Sequence, residues 1–92
     1  MAQEHQINKD TQIEDRQKAF FERARKGVLQ YLHDQGGILN MSKMHDYSLN
    51  KYLIQHQGFS QMMETFVNDG LVEFDQSTYD VTITEIGKKF IG

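Results

Sequence analysis

The sequence predicts a small α+β domain, on three observations. Ninety-two residues, 38% of them hydrophobic and 25% charged, suffice for a single modest core. Apolar residues recur at the 3.6-residue period of a helix over much of residues 12–68. After Gly70 the period drops to two, the mark of strands, before a short helical pattern closes the sequence.

Residues 1–11 are polar, glutamine-rich and aperiodic, and read as a flexible arm ahead of a domain spanning 12–92. Helical spacing starts near Thr11, which suits an N-cap. Phe20, Phe21, Ala24, Val28, Tyr31 and Leu32 share one arc, which Ile13 and Gln17 extend backwards. Gly36-Gly37 ends this helix where φ must turn positive. "ILNM" reads as a stub strand, with Asn40 or Ser42 as the cap of a second helix. In "SKMHDYSLNKYLIQHQ" the apolar Met44, Tyr47, Tyr52, Leu53 and Ile54 fit one helix or two short ones. "HQGF" reads as a turn pivoting on Gly58, and Ser60 as the N-cap of a third helix stopped by Gly70. "LVEF" and "YDVTI" are two strands joined by "DQST", with Tyr79, Val81 and Ile83 on one face. Thr84 caps a last helix, "EIGKKFI", with Ile86, Phe90 and Ile91 inward. The expected core is Phe20, Ala24, Val28, Leu32, Leu53, Met62, Phe66, Leu71, Val81, Ile83 and Phe90.

Charge is unevenly spread. The net value is −3, yet Lys9, Arg16, Lys18, Arg23, Arg25 and Lys26 crowd the first third, and Tyr52 through Gly87 holds no lysine or arginine. Glu64, Asp69, Glu73, Asp75, Asp80 and Glu85 fill that span instead. With no cysteine, neither a disulfide framework nor a thiolate metal site is available. No segment has the length and apolarity of a membrane span, and "MAQEHQINKD" lacks the apolar region of a secretory signal, so the expected location is the cytoplasm. His5, His33, His45 and His56 are scattered, without the i, i+4 spacing and glutamate of a metalloprotease helix. A Gly-rich phosphate loop and a nucleophile elbow are also missing. The sequence therefore predicts neither an enzyme nor a cofactor nor a metal site.

"NDGLVEF" followed by "YDVTITEIGKKFI" resembles the prokaryotic winged helix-turn-helix superfamily. There a helix ending in "(E/D)GL(V/I)" leads into a hairpin and then "(L/I)TExG(R/K)xF(L/I)". The resemblance covers roughly residues 17–91. It implies a three-helix core, a two-stranded wing hairpin and a short C-terminal helix. It also implies that the third helix reads double-stranded DNA as part of a transcriptional regulator. On that helix Ser60, Gln61, Glu64, Thr65 and Asn68 face outward, where Gln and Asn can pair with adenine and Glu can accept from cytosine. Backbone contacts fall to Lys43 and Lys51 on the preceding helix and to Gln76, Ser77 and Thr78 at the wing tip. Further cations are Arg16, Lys18, Arg23, Arg25 and Lys26, because phosphate neutralisation supplies most non-specific affinity. The alternative is an adaptor whose acidic third-helix and wing face meets a basic protein partner. Leu29, outside the main apolar arc, together with Phe20 and Phe21, would form a homodimer seam on the first helix. What separates DNA from protein as partner is whether Lys43, Lys51 and the first-helix cations converge on one face.

Overall fold

A computed structural model describes residues 2–92, with side chains from Asp15 onward. The elements run α1 (Ala2–Asp34), β1 (Ile38–Asn40), α2 (Met41–Tyr52), α3 (His56–Asn68), β2 (Val72–Phe74), β3 (Asp80–Ile83) and α4 (Glu85–Ile91). This is the expected order, and the class is α+β. The three strands form one antiparallel sheet in the order β1-β3-β2. β3 pairs Ile38 with Thr82 on one side and Val72 with Ile83 on the other.

Local chemistry explains most boundaries. Asn40 caps α2, its side chain accepting from the Ser42 amide at 3.0 Å. Thr84 caps α4, its hydroxyl accepting from the Gly87 amide at 3.0 Å while donating to the Gly70 carbonyl at 2.6 Å. One hydroxyl thus fixes the start of α4 to the turn that ends α3. α4 lies so close to that turn that a Cβ at Gly87 would collide with the Leu71 carbonyl.

Three boundaries differ from expectation. α1 is continuous from Ala2, so the helix does not begin near Thr11. Ala, Gln, Glu and Lys among its opening residues have good helix propensity. The expected Thr11 cap and Ile13 arc position lie outside the described side chains. α3 begins at His56 with Gln55 as its N-cap, so Gly58 and Ser60 are helical rather than pivot and cap. The turn is made instead by Leu53, left-handed at φ 58°, whose amide bonds back to the Leu49 carbonyl.

The core is Ala24, Val28, Leu29, Leu32, Met44, Ile54, Phe59, Met62, Met63, Phe66, Leu71, Val72, Val81 and Ile83. Leu29 belongs to it completely, because α1 packs against α2, α4, β1 and β3. A helix covered on several sides buries a wider arc than a one-sided stripe, and the expected Leu29 seam is thereby corrected. Phe20, Leu53 and Phe90 are corrected in the other direction. The left-handed cap turns Leu53 outward to 81% exposure. Phe20 lies at the rim, edge-on to Tyr52 at 6.4 Å. Phe90 covers the Arg25 guanidinium, 5.6 Å from its ring centre, instead of entering the core. Ile86 and Val67 are also exposed. So is Tyr79, which sits left-handed ahead of β3 rather than in register with Val81.

Candidate nucleic-acid interface

α3 buries Phe59, Met62, Met63 and Phe66. Helical spacing then puts Gln57, Gln61, Glu64 and Asn68 on the opposite side, at i, i+4, i+7 and i+11, and all four are exposed. Ser60 and Val67 flank this stripe, both exposed. Thr65 stands apart from it, half-buried, its hydroxyl donating to the Met62 carbonyl at 2.7 Å. Gln57 was hidden in the sequence because "HQGF" reads as a turn; the signal that finds it is the unbroken i, i+4 run Gln57–Gln61.

The β2–β3 hairpin exposes Gln76, Ser77 and Thr78 at its tip. Asp75 organises that tip. Its carboxylate accepts from the Ser77 hydroxyl at 2.6 Å and from the Ser77 amide at 2.8 Å. Those bonds hold its carboxyl below the ordinary aspartate value, the hydroxyl bond contributing most. Asn40 reaches the hairpin through the Thr78 carbonyl at 3.4 Å, and the Met41 amide donates to the Tyr79 carbonyl at 2.8 Å. The hairpin is therefore tied to the start of α2.

A cleft of about 570 Å³ separates α2, α3 and the hairpin base; Met41, His45, His56, Phe59, Met63 and Tyr79 are among its lining residues. The His45 and His56 rings lie 5.7 Å apart, and His45 meets Phe59 edge-on at 5.1 Å. Among the described residues no group of three or more His, Cys, Asp or Glu is placed to hold a metal ion. None of the described helices is long and apolar enough to cross a membrane.

The cations are arranged differently from the expectation. Arg25 is buried, its side chain 8% exposed, donating to Asp69 at 2.8 Å and to Glu22 at 3.1 Å. Its guanidinium also sits 5.6 Å from the Phe66 ring centre. This side chain joins α1 to the end of α3 and is withdrawn from any polyanion. Lys43 and Lys51 are exposed, but they line a groove with Tyr31 of α1, Tyr47 and Asn50. That is the flank of α2 turned toward α1, whereas Ser42 and His45 on its other flank line the cleft facing α3.

Neither a family model nor any curated protein sequence matches the chain. Among solved structures it is similar to F93 from STIV, described as a winged-helix DNA-binding protein. The TM-score is 0.56 at 16% identity, over 83% of this chain and 80% of that one. The fold is a winged helix. β2 and β3 form the wing, α3 is the helix that leads into it, and the stripe from Gln57 to Asn68 is that helix's exposed face.

Proposed function

We propose that this winged helix binds double-stranded DNA by its α3 stripe and acts as a cytoplasmic transcriptional regulator. The observation that carries the reading is the run Gln57, Gln61, Glu64, Asn68, exposed along α3 beside the wing. Its amides match adenine edges and its carboxylate matches the cytosine amino group, while Val67 supplies apolar contact for a thymine methyl. In this reading Ser60 on α3 and the exposed Gln76, Ser77 and Thr78 at the wing tip take sugar and phosphate, contacts that set register. The role is binding rather than catalysis. A two-fold pair through the first helix would rest on Phe20 and Phe21, since Leu29 is consumed by the core.

Selection from random duplexes, followed by titration at two salt concentrations, tests this. Gln61→Ala and Asn68→Ala should each relax discrimination at one or two base pairs by about 1–3 kcal/mol. Absence of duplex binding at low salt overturns the proposal. It would leave the second reading, an adaptor for a basic protein, which the exposed Glu64 and Glu73 favour.

A further inference from the structure

Four exposed cations, Arg16, Arg23, Lys43 and Lys51, lie on a face other than the α3 stripe, and aromatic rings gather with them. Lys18 lines a separate groove with Phe21 and Glu22. On α1, Arg16, Phe20, Arg23, Gly27 and Tyr31 follow one another at three- and four-residue steps, so they share one side of the helix. Tyr52 of α2 lies across Gly27, where any Cβ would collide with its phenol, and meets Phe20 edge-on. Tyr47 meets Tyr52 at 6.2 Å and stacks flat on Tyr31 at 3.9 Å, the planes 9° apart. Phe20, Tyr52, Tyr47 and Tyr31 therefore form a continuous ladder over the α1–α2 seam, every ring at least partly exposed. Lys43 and Lys51 border its groove of about 470 Å³, and Arg16 and Arg23 continue the positive edge along α1. Two carboxylates temper it: Asp46 lines the groove, and Asp34 ends α1, held by Gln30 at 2.9 Å.

We propose that this seam is a second binding surface, for an unpaired nucleic-acid strand. Cations tracking a phosphate backbone beside rings that accept stacked bases are what single-strand recognition requires. A duplex keeps its bases stacked on each other and offers only its phosphates to such a surface. The middle-of-helix Gly27 weakens α1, and what it provides is the seat for Tyr52. The inference goes beyond duplex reading by α3 and stands independently of it.

The chain has four tyrosines and no tryptophan, and three of those tyrosines belong to the ladder, so tyrosine emission reports directly on base stacking. The experiment titrates labelled oligothymidylate of about twelve nucleotides, with a mixed-sequence duplex and a polyglutamate peptide as competitors. Binding is expected at low salt with quenching of tyrosine emission, corrected for absorption by the strand. Lys43→Ala with Lys51→Ala should weaken it about tenfold and reduce the logarithmic salt slope by about 1.4. Tyr31→Ala should weaken it about tenfold with the slope unchanged. Gln61→Ala with Asn68→Ala should leave strand binding intact, which separates this surface from the α3 stripe. Should Tyr31→Ala fail to fold, the surface lysine pair still decides. No strand binding at low salt overturns the proposal. So does strand binding without quenching that polyglutamate displaces equally well, which would assign the seam to an acidic protein. Strand binding lost with Gln61 and Asn68 but not with the lysines overturns it too.

Discussion

Asp69 and Phe90 between them account for a buried arginine in a small domain. Arg25 gives its charge to Asp69 and its flat guanidinium to two aromatic rings, so much of its value is packing. Arg25→Ala should lower stability by about 2–3 kcal/mol, and Arg25→Met by less than half of that, because a flexible apolar chain refills the gap. Urea unfolding measures both; equal losses would mean that charge alone matters. Leu53 makes the opposite case: it is held left-handed, yet its side chain is in solvent. Leu53→Gly should raise the unfolding midpoint, by about 0.5–1 kcal/mol in stability, because strain goes and no packing is lost. Sequence spacing identified Ala24, Val28, Leu32, Met62, Phe66, Val81 and Ile83 as core, since each repeats on its own element. It could not identify Arg25 as buried, because Asp69, the partner that makes burial tolerable, lies far away in the chain.

Capped elements were legible and the α2–α3 junction was not. Thr84 and Gly87 announce α4 within four residues, and the pair Asn40 and Ser42 announces α2, of which Asn40 is the cap, because caps act locally. Gly58 misled because glycine ordinarily breaks a helix; here it sits within α3 against Ile54, whose side chain leaves little room for a Cβ. That shift of the start of α3 is what hid Gln57 from the candidate site. Gly87→Ala should destabilise by about 2–3 kcal/mol, measured by thermal melting, with Ser60→Ala as a near-neutral control. The wing carries a pH signature. Asp75 is ionised in both folded and unfolded chains at neutral pH, so its turn bonds contribute fully there. The contribution is lost as pH falls past the ordinary aspartate value and through the lower folded one. The Ser77 amide shift, followed by NMR, should therefore titrate below the ordinary aspartate midpoint; a midpoint at that value would dismiss the turn as an anchor.

At the scale of the whole molecule the chain is long and thin, 54 × 25 × 21 Å with a radius of gyration of 15.5 Å. A compact chain of this length has a radius of about 12 Å, and α1 accounts for the difference. X-ray scattering of a monomer should return the larger value; a compact result would mean that α1 folds back on the body. The second half of the winged-helix order could be read from "NDGLVEF" and "ITEIGKKFI", because strand period and caps are local. Where Lys43 and Lys51 lie could not, since that depends on how α2 rolls against α1, with Tyr52 seated on Gly27 and Tyr47 stacked on Tyr31.

β1 offers three residues and pairs Asn40 with Asp80 across the intervening helices. Time is where this matters. The β2–β3 hairpin closes through a short loop, but β1 must wait until α2 and α3 have brought its partner near, since distant closure is entropically expensive. β1, and with it the Met41–Tyr79 bond that seats α2 beneath the wing, is thus expected to pair late in folding. By the same token β1 is the strand that lets go first.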